Sequence, residues 1–383
     1  MFSIYVHIPF CLKKCDYCDF YSIAASDEGV PEQSYLKACI DQLQREVKEK
    51  GLNGRTISSV YFGGGTPSIF SSSFFERFLE EIYKNFTVED DVEISCEVNP
   101  ATADAKWFAE MKDVGVTRIS LGVQSFNSNL LQSLGRIHSA DDAMRAIAEA
   151  QDADFKSVSL DLIYAIPGEA VSELEDDIRT AMTFQPEHIS AYQLTPEEGT
   201  LLKKRVDESE IELLSDSEIL KQMAIVSRML DRVGWRKYEI SNYAKPGFEC
   251  RHNVNYWRYG EYLGVGSGAT SFIRSGENTF GRRYTQARDV MRYIDGSLEL
   301  DDDECIDEKT AMSEFMFMGL RTLDGIDTQR FSKVFNRDLA DIYGRVVKEL
   351  IDDRLIHEMD GGGNLRLTPK GVEISNYVFT KFM

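Results

Sequence analysis

Three cysteines fall within eight residues near the start of the chain, in Cys11-Leu-Lys-Lys-Cys15-Asp-Tyr-Cys18. Thiolates at this C-x3-C-x2-C spacing can hold three corners of a cubane [4Fe–4S] cluster, and a fourth would fill every iron. Three leave one iron with an open position, where exchangeable ligands bind. A ligand with a free amine and carboxylate can chelate it there. Competing readings are weaker. A zinc site usually takes four ligands, and the nearby supply is limited to His7, Asp16, Asp19 and Cys39. A disulfide framework needs paired cysteines and an oxidising compartment. The chain has seven cysteines, an odd number, and its start has neither the basic nor the apolar region of a secretory signal.

At 383 residues the chain can bury a sizeable core in two or three domains. No apolar run reaches the length of a membrane span, so an integral membrane protein is not expected and only peripheral contact is left open. A net charge of −21 excludes a general nucleic-acid binder. Free thiols and an iron–sulfur cluster both suit a reducing cytoplasm, the expected location.

Short β-branched runs alternate with amphipathic stretches over the first two-thirds of the chain. The strand expectations are Ile4–Ile8, Ser59–Gly63, Val92–Glu97, Arg118–Val123, Ser157–Ile163 and His188–Gln193. Helices are expected over Glu32–Lys50, Ser72–Asn85, Ala103–Val114, Ser139–Gln151 and Glu173–Phe184. Such alternation builds a parallel sheet from βα units. Six units give a partial (β/α)6 TIM-like barrel, an α/β fold. The chemically suggestive residues recur just after or within these strands: the cysteine loop, Gly63-Gly64-Gly65-Thr66-Pro67, Glu97, Gln124 and Asp161. Barrel sites gather at the C-terminal strand ends, so these groups should converge. The glycines allow close backbone approach, and their N–H groups can meet a carboxylate; a tight turn without a ligand is the plainer alternative. Glu97 and Asp161 suit an ammonium or ribose hydroxyls, or else a helix cap. Arg136 can pair with a carboxylate or serve as a surface charge.

Residues 1–240 are expected to form the barrel and 241–305 a connector, with the acidic run Asp301–Glu304 as a solvated linker. Residues 306–383 read as an α+β, winged-helix-like domain: three helices, a hairpin turning through 360–363, and a last helix after Pro369. Residues 301–383 hold 17 acidic and 11 basic side chains, which favours packing or protein contact over DNA reading.

The C-x3-C-x2-C spacing, with Tyr17 before the third cysteine, resembles the radical S-adenosylmethionine (SAM) superfamily. That resemblance implies that SAM completes the open iron and that an electron from the cluster cleaves it to a 5′-deoxyadenosyl radical. Tyr5-Val-His-Ile-Pro-Phe-Cys11, Gly63-Gly-Gly-Thr-Pro67, Gly122-Val-Gln-Ser-Phe126, Leu134-Gly-Arg136 and Asp161-Leu-Ile-Tyr-Ala-Ile-Pro-Gly168 resemble the oxygen-independent coproporphyrinogen III oxidase family. This implies SAM contacts at Tyr5, Tyr17, Gly64, Gly65, Thr66, Glu97, Gln124, Arg136 and Asp161, and a family-specific C-terminal domain. The oxidases carry a further cysteine two residues after the third ligand, where this chain has Phe20. With His252-Asn253-Val-Asn-Tyr256-Trp257, Phe20 makes the chain similar to the HemW-type heme-chaperone branch. That branch implies heme, a heme-accepting protein and an electron donor as partners, with heme handled at His252, Tyr256 and Trp257. Imidazole is a common axial ligand to heme iron, and the two aromatic rings offer flat faces to a porphyrin; a packed core histidine is the plainer reading. Cys250 is a weaker candidate ligand, with an inert buried thiol as its alternative. Coproporphyrinogen decarboxylation is the competing function.

Overall fold

The computed structural model describes residues 2–26, 29–274, 280–358 and 363–383. Six strands, β1 (Phe2–Ile8), β2 (Thr56–Gly64), β3 (Thr87–Val98), β4 (Arg118–Gln124), β5 (Ser157–Tyr164) and β6 (His188–Gln193), pair in parallel in chain order. Helices α1 (Glu32–Lys50), α2 (Ser72–Asn85), α3 (Ala105–Val114), α4 (Ala140–Asp152) and α5 (Val171–Thr183) carry the chain back between them. The βα repeat legible in the sequence is therefore present, with most element ends moved by a few residues. Caps account for several ends. Asp104 accepts the Trp107 N–H at the start of α3, and Ser139 with Asp142 forms a capping box on α4.

Parallel strands buried on both faces usually read as continuous apolar runs. These alternate instead. Ile4, Val6 and Ile8, then Val60 and Phe62, then Ile119, Leu121 and Val123 are buried in the main core with the helices. The intervening positions are polar and in register across the sheet. Tyr61 pairs with Ser95, Ser95 with Arg118, Glu97 with Ser120, and Asp161 with Ser190. The concave face is thus lined for chemistry, whereas a closed barrel of this class fills its interior with packed side chains.

Segments expected as connectors extend the sheet at both edges. Between β6 and its neighbour lies helix α6 (Asp216–Asp231), and β7 (Asn242–Ala244) then pairs antiparallel with β6. After helix α7 (Arg251–Trp257), β8 (Glu261–Val265) pairs parallel with β1. β9 (Thr270–Ile273), β10 (Arg282–Gln286) and β11 (Leu300–Cys305) continue antiparallel from it. The run Asp301–Glu304 is not a linker. It is most of edge strand β11, tied to β10 by Arg282–Asp303 at 2.5 Å and Arg283–Glu304 at 3.5 Å. Its exposed carboxylates discourage pairing with another sheet edge. Among the described residues the sheet does not close on itself.

The C-terminal unit runs α8 (Glu308–Arg321), β12 (Ile326–Asp327), α9 (Thr328–Phe335), α10 (Leu339–Asp352), β13 (Ile356–Glu358) and β14 (Asn364–Leu367), then two short helices. Its strands order β12-β14-β13, the winged-helix-like arrangement expected. The 360–362 part of the hairpin turn lies outside the described residues. Phe315, Met316, Phe331, Phe335 and Leu350 form its core, continuous with Tyr259 and Phe272 of the main sheet region.

Candidate functional site

A cavity of about 360 Å³ opens at the C-terminal ends of β1–β6. Cys11, Cys15, Cys18, Tyr17, Gly64, Gly65, Thr66, Glu97, Gln124, Arg136 and Asp161 all line it. Residues more than a hundred positions apart in sequence therefore meet at one place. Tyr5 and the His252, Tyr256 and Trp257 side chains are not among its lining.

The cysteine loop is folded back by a short parallel pairing of Phe10–Cys11 with Ile23–Ala24. Thr66 Oγ1 donates to Cys11 Sγ at 3.4 Å, and Arg136 Nη1 reaches Cys15 Sγ at 3.5 Å. Burial pushes the Cys11 thiol up and the Cys18 thiol up to about 11; as thiolates they therefore call for a cation beside them. Among the described residues no three His, Cys, Asp or Glu side chains converge tightly enough to hold a single metal ion. Phe20 stands at the cavity mouth, 63% exposed.

The glycine run has a packing cause. Gly64 sits at φ +116, and a Cβ there would lie 2.5 Å from the His7 ring. A Cβ on Gly65 would lie 2.7 Å from the Phe10 carbonyl and 3.0 Å from Cys11 Sγ. The backbone donors, expected to meet a ligand carboxylate, are spent inside the protein. Gly64 N–H donates to Glu97 at 3.0 Å, Gly65 N–H to the Ile8 carbonyl and Thr66 N–H to the Phe10 carbonyl. The run brings β2 against the cysteine loop, with Gly64 and Gly65 still part of the cavity lining.

Two carboxylates face this space, and among the described residues no cation is bonded to either. Glu97 accepts from Tyr61 Oη at 2.8 Å and from Gly64 N–H, and burial pushes it up to about 7, with Asp161 adding to the effect. Asp161 accepts from Ser120 Oγ at 3.0 Å; burial lifts it to about 6 against its serine hydrogen bonds. Such a pair welcomes a cationic ligand that lets both ionise. Arg136 donates through Nη2 to the Gly122 carbonyl at 2.8 Å, while its Nε is buried without a partner among the described residues. Gln124 holds φ +66, an uncommon conformation for a side-chain-bearing residue.

The second motif sits below this cavity. Helix α7 packs against β1 and β2 and plugs the space at their N-terminal ends. His252 is 1% exposed; its Nδ1 lies 3.0 Å from Ser59 Oγ and its Nε2 2.9 Å from Tyr256 Oη. Both ring nitrogens are engaged, so the expected presentation of His252 to heme iron is not what this geometry has. Tyr256 meets the Tyr262 ring edge-on, and Trp257 lies under the Arg321 guanidinium at 4.3 Å. Trp257 thus reaches the C-terminal unit through Arg321, while His252 and Tyr256 pack against strands β1, β2 and β8. Glu93 holds the plug: it accepts the N–H groups of Arg251 and His252, both at 3.0 Å. Tyr5 belongs to the same column, its Oη 2.9 Å from His7 Nδ1 and its ring against Tyr61 and His252. The plug turns Cys250 and Asn253 toward the cavity.

Sequence reasoning missed Tyr61, Arg118, Ser120, His188, Ser190 and Asn253, which all line the cavity. The usable signal was there: polar residues two apart in strands that are otherwise apolar.

Residues 5–181 match the Radical SAM superfamily, and residues 306–374 match the HemN C-terminal domain. The whole chain superposes on Escherichia coli coproporphyrinogen III oxidase (HemN), with a TM-score of 0.82 at 20% identity, covering 100% of this chain and 89% of that one. The protein therefore has the radical SAM α/β fold with a large mixed sheet. Heme chaperone HemW of Lactococcus lactis is 32% identical over 100% of this chain and 97% of its own length. That of Bacillus subtilis is 31% identical over 100% and 99%, and that of Escherichia coli 36% over 86% and 85%. The chain belongs to the HemW family of heme chaperones.

Proposed function

We propose that this protein binds heme and passes it to an acceptor protein, with a [4Fe–4S] cluster and SAM as resident cofactors. The observation that carries this reading is the convergence of three thiols and two elevated carboxylates on one cavity in a chain similar to HemW over its full length. Cys11, Cys15 and Cys18 would hold the cluster. Three thiols that do not converge on one ion suit a body with several metal atoms. Bound together, cluster and SAM supply one-electron chemistry at a sulfonium. Glu97 and Asp161 would take the cationic amine and ribose hydroxyls of SAM. Arg136 would orient its carboxylate, and Gln124, Tyr17 and Thr66 would close around it. Tyr5 would act indirectly, through His7 and Tyr61. Among the described residues no helix is long and apolar enough to cross a membrane. A reducing cytoplasm and an external electron donor fit this reading.

The test is anaerobic reconstitution followed by hemin titration and a coproporphyrinogen III turnover assay. Expected are about four irons and four sulfides per chain, lost on replacing any of the three cysteines by alanine. Hemin should bind at about one per chain, with little or no porphyrinogen decarboxylation, because Phe20 stands where the oxidases carry cysteine. Tight zinc without sulfide would defeat the cluster assignment. Robust multiple turnover would replace the chaperone reading with the oxidase one.

A further inference from the structure

We infer that Arg118 and Asn253 form a carboxylate-binding subsite on the floor of the cavity, opposite the cysteine rim. This rests on the cavity being the ligand site proposed above.

Arg118 is the first residue of β4 and is only 3% exposed. Its Nη1 donates to Ser157 Oγ at 3.0 Å and to the Phe248 carbonyl at 3.3 Å. Its Nε and Nη2 make no hydrogen bond among the described residues, yet they are not sealed in protein, since the residue lines the cavity. No carboxylate stands within ion-pair distance of it among the described residues. Glu93, the acidic group on the neighbouring strand, is committed to the N–H groups of Arg251 and His252. Cys250 and Glu93 keep the buried guanidinium charged from a distance, but no carboxylate among the described residues bonds it directly, so a ligand anion that reaches its open donors gains a charge-assisted contact. Two unpaired donors on a planar fork match a carboxylate bidentately.

Asn253 faces the same cavity, and its carboxamide makes no hydrogen bond among the described residues. It supplies a further donor from the plug helix. The surrounding groups leave the anion to these two residues. His188 is held neutral: burial and nearby Arg118 push it down, with Nδ1 against Ser159 and Nε2 against Tyr238. Cys250 is pushed up to about 12 by burial and stays a thiol. Glu97 and Asp161 repel an anion but sit among the groups expected to receive a cation. Arg118 therefore supplies the positive group of the cavity floor, while Glu97 and Asp161 supply the negative groups above it. In His252-Asn253, the member that meets ligand is Asn253.

The carboxylate could belong to a porphyrin propionate or to SAM, and the experiment separates them. Full-length, cluster-reconstituted protein is titrated with hemin and hemin dimethyl ester, and with SAM and decarboxylated SAM. Arg118→Gln, Arg118→Lys and Asn253→Ala are compared with wild type, with thermal melting and cluster absorption as fold controls. Wild type should prefer hemin over its ester by roughly tenfold or more, a preference that Arg118→Gln abolishes, Arg118→Lys restores in part, and Asn253→Ala reduces by about fivefold. If SAM shows that pattern instead, the carboxylate is SAM's and the subsite stands. Wild type that binds no hemin but keeps the Arg118-dependent SAM preference would defeat the chaperone reading and spare the subsite. A folded Arg118→Gln protein that keeps both preferences would overturn the inference. If that variant does not fold, unchanged affinities in Asn253→Ala would overturn it.

Discussion

Replacing His252 by alanine tests whether the imidazole is a structural pin or an iron ligand. The substitution leaves the buried Tyr256 hydroxyl without its partner, while Ser59 keeps Ser3 at 2.8 Å. One orphaned buried hydroxyl costs about 1–3 kcal/mol. The ring also packs 5.0 Å from Tyr61 and 4.9 Å from Tyr256, and losing those aromatic contacts costs about 1 kcal/mol more. The sum is roughly 2–4 kcal/mol. A chain of 383 residues has an unfolding entropy of about 0.8 kcal/mol per kelvin near its melting point, so Tm should fall by roughly 2.5–5 °C. His252→Gln, which keeps a donor and an acceptor, should recover about half of the loss. Scanning calorimetry of reconstituted protein measures this, and a hemin titration runs beside it. The Soret position of bound hemin should not move, and any loss of affinity should follow the loss of stability. Wild-type melting together with a shifted Soret band would refute the reasoning and make His252 an iron ligand.

The acid limb of stability should carry the same residue's signature. Burial pushes His252 down to about 3, below its unfolded value near 6.5. The unfolded chain therefore binds more protons, and this stability is present above about pH 6.5 and lost as pH falls toward 3. His252→Ala should flatten that slope in urea melts, and an unchanged slope would count against a buried neutral ring. SAM binding should release protons between about pH 6 and 7, because a cation lowers Glu97 from about 7 and Asp161 from about 6. Calorimetry in two buffers of different ionisation enthalpy reads this, and buffer-independent heats at pH 6.5 would exclude the paired-carboxylate site. Gly64→Ala should destabilise by about 2–5 kcal/mol through its positive φ and the His7 clash, and a wild-type urea midpoint would show that the turn relaxes freely.

The strand and helix alternation was legible because each unit is local: helix α1 and strand β6 match the sequence expectation residue for residue. The convergence of the cysteine loop, Glu97, Gln124 and Asp161 was legible too, since parallel strands place all their C-terminal ends together. The sheet edges were not. β8 joins β1 across some 250 residues, and its glycine-rich stretch carries no periodic signal for that pairing. Asp301–Glu304 misled because charge reads as solvent exposure, and an edge strand satisfies that equally well. The partners of His252 were not legible, because a motif gives residue types but not what each ring nitrogen meets. Arg118 was passed over because a lone arginine at a strand start has no local mark of burial.

The polar concave face of the sheet also bears on how the chain folds during synthesis. β1–β6 are complete by residue 193, but the plug begins at Arg251 and β8 starts at Glu261. For that interval the ribosome has released a sheet whose inner surface still lacks its stopper and its last parallel neighbour. An apolar lining would leave this nascent intermediate with a sticky hollow, of the kind that draws chaperones or aggregates. Serines, tyrosines and carboxylates can wait in water at little cost. Late arrival of α7 then closes the N-terminal end of the hollow, so cofactor loading should become stable only after the region beyond residue 265 has emerged.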